Sequence, residues 1–168
     1  MSNVYLIRHA EKTEDGEHIT PDGRRMAQLL AKKLKHYAIG GIICGNLQRQ
    51  IDTADEINRT LKLPIEYIPE LVEIESYMRR EPKKYPRVMA KVRKAYEKIM
   101  SQEIDPLVVS SGIINRVLIA FALRIPPERS EHIQYFTGLT HINKGEDGRI
   151  RLGCVNDTGH LPYRLVRR

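Results

Sequence analysis

The sequence contains little cysteine and no long apolar segment. Its two cysteines, Cys44 and Cys154, are isolated and form no CxxC pair, so neither a zinc site nor a disulfide framework is predicted. No apolar run approaches the roughly 18–20 residues of a membrane-spanning helix, and the first residues do not have the pattern of a signal peptide. These absences predict a protein of a reducing compartment, with the cytoplasm as the simplest location and no membrane partner.

The length and composition are those of an ordinary globular protein. The chain has 168 residues, of which 41% are hydrophobic and 29% charged. A chain of this length can bury a core of its own, and no linker, repeat or low-complexity segment interrupts it. We therefore expect one domain spanning residues 1–168.

Positive charge is concentrated in one stretch. Residues 76–98 contain nine Lys and Arg and two Glu, so this stretch carries the net charge of +7 that the whole chain has. A solvated helix face is the default interpretation. An anionic substrate or nucleic acid is the alternative, but no nucleic-acid-binding motif or interleaved aromatic residues accompany the charge, so nucleic acid is not an expected partner.

Short apolar runs alternate with helical patterns along the chain. Strands are predicted at 4–7, 42–44, 64–68 and 107–111, and a terminal hairpin at 133–142 and 149–155. Helices are predicted from Pro21 to the Gly40-Gly41 pair, from about residue 46 to 61, from Pro86 through the basic stretch, and over 113–123. This alternation predicts a three-layer α/β fold with a mainly parallel sheet and helices on both faces.

Polar side chains follow several of these strands. Arg8 and His9 end the first strand, Arg49 begins the helix after the second, Glu73 or Glu75 follows the third, and Ser111-Gly112 ends the fourth. In open α/β sheets, ligands bind just past the carboxyl ends of the strands. A solvated Arg-His pair is the alternative to an anion site at this edge.

These motifs together resemble the histidine phosphatase superfamily, the phosphoglycerate-mutase-like proteins. The resemblance is carried in order by Leu6–Glu11, Ile19–Gly23, Asn46-x-x-Arg49 with Thr53-Ala54, Leu71–Glu73, Val109–Gly112 with Arg116, and Asn156–Leu161. It implies the phosphoglycerate-mutase-like fold and phosphoryl transfer through a phosphohistidine. His9 would be the nucleophile and Glu73 the general acid and base, while Arg8, Arg49, Ser111 and Gly112 would bind the phosphoryl group; no metal or cofactor is required.

One position departs from the family pattern. The family usually has a second histidine where this chain has Ser111, and a serine hydroxyl can donate a hydrogen bond but cannot carry charge. Three interpretations follow. Ser111 and the Gly112 amide suffice for a slower enzyme, or His160 turns into the position, or the protein binds phosphorylated ligands without turning them over. The other histidines (His18, His36, His132 and His141) are interpreted as packed or solvated.

The sequence therefore predicts a metal-independent phosphatase acting on a phosphomonoester or on phosphohistidine. Its expected partner is a small phosphorylated substrate or a phosphoprotein. The alternatives are a phosphate-ligand-binding protein of weak or no activity, and a phosphoglycerate-type mutase, for which the segment from Glu75 to Asp105 is short. The basic residues from Arg79 to Lys98 are expected to attract polyanionic substrates.

Overall fold

The computed structural model describes residues 2–71, 74 and 85–168. The strands are β1 (Ser2–Arg8), β2 (Gly41–Cys44), β3 (Ile65–Tyr67), β4 (Pro106–Ser110), β5 (Leu139–Lys144) and β6 (Ile150–Asp157). The helices of the described part are α1 (Pro21–Leu34), α2 (Gln48–Leu61), α3 (Tyr85–Met100) and α4 (Gly112–Leu123), with short 3-10 turns at Pro127–Arg129 and Tyr163–Leu165. Glu73, Glu75 and the basic residues Arg79–Lys84 lie outside the described residues.

The six strands form one sheet in the order β3-β2-β4-β1-β5-β6. The first four strands in this order are parallel to one another. Strand β5 pairs with β1 in antiparallel orientation, and β6 pairs with β5 in antiparallel orientation. Parallel strands need a crossover connection, and α1, α2 and α3 lie in the connections that lead from β1 to β2, from β2 to β3 and from β3 to β4. Helix α4 lies between β4 and the antiparallel strand β5. The predicted α/β fold with a mainly parallel sheet is confirmed, and the antiparallel edge corresponds to the predicted terminal hairpin.

The central strands of the sheet are buried on both faces because they alternate apolar side chains between two cores. Leu6, Ile43 and Val108 pack on one face with apolar residues of α3 and α4. Ile7 and Leu107 point to the other face, where they pack with apolar residues of α1 and α2. Since successive strand residues point in opposite directions, an uninterrupted apolar strand builds both layers.

Helix α1 begins where the sequence predicts and ends earlier. The Thr20 hydroxyl accepts a hydrogen bond from the Gly23 amide at 2.9 Å, and Pro21 occupies the first helical position. The helix ends at Leu34, not at Gly40, because Tyr37 leaves the helical path and packs edge-on against Tyr5 at 5.2 Å between ring centroids. Among the described residues, no helix is both long and apolar enough to cross a membrane.

The prediction of a strand over residues 133–142 is wrong in its first half. Strand β5 starts only at Leu139, and the preceding residues form hydrogen bonds outside the sheet ladder. The Gln134 carbonyl accepts from Arg8, the Phe136 amide donates to the Arg167 carbonyl, and Thr137 has a left-handed backbone with φ of 54°. The backbone of this segment therefore serves the end of β1 and the C-terminal residues.

The central strand β4 should be the most sensitive part of the core. Leu107 is fully buried, whereas Leu123 at the end of α4 is 42% exposed. We expect Leu107→Ala to lower the free energy of unfolding by about 2–5 kcal/mol, because the substitution removes buried methyl groups and leaves a cavity. Leu123→Ala, the same chemical change at the surface, should cost less than about 1 kcal/mol. Denaturant unfolding of both variants tests this, and equal losses would contradict the assignment of β4 to the core.

Candidate functional site

The site begins where two adjacent parallel strands end. Arg8 at the end of β1 is paired with Ser110 at the end of β4, and the His9 amide donates to the Ser110 carbonyl at 2.9 Å. After β1 the chain runs to α1 on one face of the sheet, and after β4 it runs into α4 on the other. The divergence opens a crevice at the carboxyl ends of the strands, the usual ligand position in open α/β sheets.

A cavity of about 560 Å³ occupies this crevice. Four predicted site residues, Arg8, His9, Arg49 and Gly112, line it together. The other described residues of its wall come from the loop after β1, from α4, from the segment before β5 and from the C-terminus: Lys12, Ile113, Arg116, Glu131, His132, Ile133, Gln134 and Arg168.

The His9 ring is fixed in one orientation by a hydrogen bond on each nitrogen. Nδ1 lies 2.8 Å from the Ala10 carbonyl oxygen, which can only accept. Nε2 accepts a hydrogen bond from Arg49 Nε at 3.2 Å. Together these contacts select the tautomer that carries its proton on Nδ1 and a lone pair on Nε2, the atom available as a nucleophile.

The electrostatic surroundings keep this imidazole neutral. Burial is the main cause that lowers the pKa of His9 from 6.5 to about 3, and the positive charges of Arg8, Arg49 and Lys12 lower it further against the opposing effect of the Ala10 carbonyl. Protonation would place another positive charge among three cations in a site removed from water. His9 is therefore unprotonated on Nε2 at neutral pH.

Arg8 is held by contacts on two sides of its guanidinium. Nη1 donates to the Gln134 carbonyl at 2.5 Å, and the guanidinium carbon lies 4.0 Å above the centre of the Phe136 ring. The same ring lies 5.7 Å from the His9 ring. Such stacking and hydrogen bonding restrict a long side chain to one direction before a ligand arrives.

The buried Thr53 hydroxyl ties Arg49 to the end of β1. It accepts a hydrogen bond from the Ala10 amide at 3.0 Å and donates one to the Arg49 carbonyl at 2.7 Å. Arg49 Nη1 also donates to the Gly16 carbonyl at 2.8 Å. These bonds fix α2, which carries Arg49, against the loop that carries His9.

Ser111 and Gly112 have different places in the structure. The Ser111 side chain is 1% exposed and does not line the cavity; its hydroxyl accepts from the Ile114 amide at 3.3 Å and caps α4. Gly112 lines the cavity, and a Cβ there would lie 3.3 Å from both Arg8 Cδ and Gln134 Cβ. The close approach of these two side chains thus favours glycine at position 112.

His160 lies apart from the cavity. Its Nε2 is 3.0 Å from the Thr137 hydroxyl, and burial lowers its pKa from 6.5 to about 4. The cavity wall does not include it. The structure therefore does not bring His160 beside His9, Arg8 and Arg49.

Glu73, the predicted general acid, lies outside the described residues, so the structure does not describe its position relative to His9. Among residues 2–71, 74 and 85–168, no group of three or more His, Cys, Asp and Glu side chains could hold a metal ion. The positive charge described in this cavity comes from Arg and Lys side chains.

Sequence reasoning missed several residues of the cavity wall. The sequence predicts a packed or solvated His132, yet this residue lines the cavity together with Lys12, Gln134 and Arg168. No local pattern marks these positions, because they come from loops and the C-terminus. Arg116 is the wall residue among these that belongs to a motif of the family resemblance, the one at Val109–Gly112.

Comparison with curated proteins gives relatives that are named protein phosphatases. The chain is 27% identical over 190 residues to the mitochondrial serine/threonine-protein phosphatase PGAM5 of Homo sapiens, covering 99% of this chain and 66% of the relative. It is 30% identical over 183 residues to mitochondrial Pgam5 of Caenorhabditis elegans, covering 95% and 64%. This chain thus spans less than two thirds of the length of either relative.

The cytoplasmic location predicted from the sequence is wrong by this comparison, because both relatives are named mitochondrial. The prediction depended on isolated cysteines and on the absence of a long apolar run. Unpaired cysteines argue only against an oxidising compartment and do not distinguish one reducing compartment from another.

The fold and the first half of the sequence are both similar to those of histidine phosphatases. The alpha-ribazole phosphatase of Shigella flexneri superposes with a TM-score of 0.75 at 19% identity, covering 93% of this chain and 96% of that one. Residues 4–84 match the model of the histidine phosphatase superfamily (branch 1). The chain therefore has the phosphoglycerate-mutase-like fold of the histidine phosphatases, and its first half carries the sequence pattern of their branch 1.

Proposed function

We propose that this chain is a phosphatase that hydrolyses phosphate monoesters through a phosphohistidine intermediate on His9. The observation that carries the proposal is the state of the His9 ring: Nδ1 is bonded to the Ala10 carbonyl, and Nε2 carries a lone pair directed at Arg49. A neutral imidazole held beside two guanidinium groups suits attack on a phosphoryl group.

In the first step, His9 Nε2 attacks phosphorus while the bond to the ester oxygen breaks. The phosphoryl oxygens replace Nε2 as acceptors for the Arg49 guanidinium, and Arg8 neutralises part of their charge. The phosphorylated ring retains its proton on Nδ1 and becomes cationic. The Ala10 carbonyl, 2.8 Å from Nδ1, stabilises that charge.

In the second step, water attacks phosphorus and the N–P bond breaks, which returns the lone pair to Nε2 and releases inorganic phosphate. The leaving alkoxide of the first step needs a proton, and the attacking water must lose one. We assign both transfers to Glu73, on the family resemblance of the Leu71–Glu73 motif. Charge neutralisation is assigned to Arg8, Arg49 and Lys12, without a metal ion.

The proposed substrate is a phosphomonoester, either small or carried by a protein. The two curated relatives are named serine/threonine-protein phosphatases, which supports a phosphoprotein as one substrate class. Loop residues and Arg168 form part of the described cavity wall, which is compatible with a ligand of either kind.

A phosphate-binding protein without turnover is the second candidate, and the position of Ser111 favours it. The Ser111 hydroxyl accepts a hydrogen bond from the Ile114 amide and lies outside the cavity. Position 111 therefore supplies no charged hydrogen-bond donor to the transition state. Loss of one such donor costs about 2.7–4 kcal/mol in well-studied sites. Such a loss is compatible with a slow enzyme as well as with a binding protein.

The direct test of the first candidate is the phosphoenzyme. Rapid acid-free quenching during turnover of an aryl phosphate should trap an acid-labile phosphohistidine in the wild type. His9→Asn, which keeps a polar side chain of similar reach to Nδ1, should form none and should lose at least roughly 10³-fold in kcat, because the variant lacks the proposed nucleophile. EDTA should leave the wild-type rate unchanged.

His36→Asn is the matched control, since His36 is exposed and lies outside the cavity. Wild-type turnover by His9→Asn would remove His9 as the nucleophile. Binding of inorganic phosphate by the wild type with no turnover and no phosphoenzyme would support the binding protein instead.

The low pKa of His9 predicts how stability depends on pH. The folded-state pKa of about 3 lies below the ordinary value of 6.5, so the unfolded chain takes up a proton between these values and the folded protein does not. His9 therefore lowers stability as the pH falls below 6.5. Between pH 7.5 and 5.0 the wild type should lose roughly 2 kcal/mol more than His9→Asn in denaturant unfolding. Parallel pH dependence of the two proteins would contradict a buried neutral His9.

The Thr53 hydroxyl should matter for both stability and turnover. Thr53→Val keeps the side-chain shape but leaves the buried Ala10 amide and Arg49 carbonyl without this partner, which should cost about 1–3 kcal/mol. Because the same bonds place Arg49 against His9, kcat should fall about tenfold or more with a smaller change in KM. Thr60→Val is the control on the exposed side of α2. A stable variant with unchanged kcat would show that this link does not position the site.

A further inference from the structure

The described wall of the cavity is rich in positively charged side chains. Five of its residues are Lys or Arg, namely Arg8, Lys12, Arg49, Arg116 and Arg168, and Glu131 is its one acidic residue in the described part of the chain. A phosphate monoester has at most two negative charges at neutral pH. Of these cations, Arg116 lies apart in sequence from the strand-end motif that carries Arg8, and positive charge in a cleft favours anionic ligands.

The positive charge falls into two groups within the cavity. Burial is the main cause that lowers the pKa of both histidines; the charges that lower it further are those of Arg8, Arg49 and Lys12 for His9 and that of Arg116 for His132. His9 follows β1, while Arg116 lies on α4 and His132 follows the 3-10 turn Pro127–Arg129. The second group therefore comes from different elements of the fold than the group around His9.

One hydrogen bond at Nε anchors the Arg116 side chain. Its Nε donates to the Ser130 carbonyl, which fixes the side chain against the segment that follows α4. Within residues 2–71, 74 and 85–168 this is its one hydrogen bond, so the N–H groups of Nη1 and Nη2 are available to a ligand. A guanidinium held at Nε presents two parallel N–H groups, the geometry that binds a carboxylate or phosphate in bidentate fashion.

His132 stands next to this guanidinium with one unsatisfied nitrogen. Its Nδ1 lies 3.3 Å from the Ser130 hydroxyl, which can donate to it and so leave the ring proton on Nε2. Nε2 is shielded from solvent and has no hydrogen-bond partner in the described part of the chain. An unpaired buried donor is costly, and an anion entering beside Arg116 would supply the missing acceptor after a small adjustment of the ring.

We propose that Arg116 and His132 form a second anion subsite, so that the substrate is a phosphate monoester that carries a further acidic group. The proposal rests on the proposed function, because it assigns the phosphoryl group itself to His9, Arg8 and Arg49. The second group is a carboxylate or another phosphate on the same ligand. Arg116 holds it by two hydrogen bonds and His132 Nε2 by a third.

The test uses two non-hydrolysable ligands that differ in one charge. They are 3-carboxybenzylphosphonate and 3-carbamoylbenzylphosphonate, which have nearly the same shape, and their binding to the full chain is measured by calorimetry. The wild type should bind the carboxylate about tenfold more tightly than the carboxamide, the effect of a charged hydrogen bond in a partly solvated site. Arg116→Gln and His132→Phe should each reduce this ratio, Arg116→Gln to within about twofold.

Arg25→Gln is the control, because it removes one charge from the exposed side of α1 outside the cavity. This variant should keep the wild-type ratio, and binding of the carboxamide by all variants verifies that they are folded. A wild type without preference, or an Arg116→Gln variant with the full preference, would overturn the subsite. Because the ligands do not react, a preference with no phosphatase activity would overturn the proposed function alone.

Discussion

Parallel pairing of β1 with β4 is the constraint on which the site depends. The two strands lie side by side in register, with Arg8 opposite Ser110, and both are buried on both faces. Their chains then leave to opposite sides of the sheet, one towards α1 and the other directly into α4. The crevice between these connections receives His9 from one strand end and Gly112 from the other, so the topology itself creates the place where a ligand can bind.

Positive charge and burial act together at this place. Removing His9 from water disfavours its protonated form, and the neighbouring Arg8, Arg49 and Lys12 disfavour it further. A cluster of like charges costs stability in the absence of an anion, and the structure offsets part of that cost with fixed acceptors such as the Gln134 and Gly16 carbonyls. The arrangement is thus adapted to an anionic ligand before the ligand is bound.

The C-terminal residues pack against Phe136, the aromatic residue that contacts Arg8. Leu161 and Leu165 pack with Met26 and Phe136 in a small apolar cluster, and the Arg167 carbonyl accepts from the Phe136 amide at 2.9 Å. Phe136 in turn provides the ring on which the Arg8 guanidinium lies. Changes far from β1 in sequence can therefore alter the direction of Arg8, because a stacked side chain follows the ring that carries it.

Ser111, which departs from the family pattern, has a structural role at the start of α4. As the N-cap of α4, Ser111 satisfies an amide of the first helical turn, so its hydroxyl is engaged in local structure. The imidazole that lines the cavity besides His9, within the described residues, is His132. His132 comes from the segment after α4, and the Arg116 side chain fixes the backbone of this segment. No sequence motif predicts an imidazole at this place in the cavity.

The sequence by itself determined the layers of the fold and the residues at the strand ends. Apolar runs such as Val4–Ile7 and Leu107–Val109 specify buried parallel strands because alternation sends their side chains into two cores, and Arg8, His9, Arg49 and Gly112 follow from their places after such strands. Only the tertiary structure decided that Ser111 and His160 stay out of the cavity and that His132 and Lys12 enter it. Loop residues are placed by long-range contacts, such as those of Gln134 with Arg8, and no local pattern records contacts between distant parts of a chain.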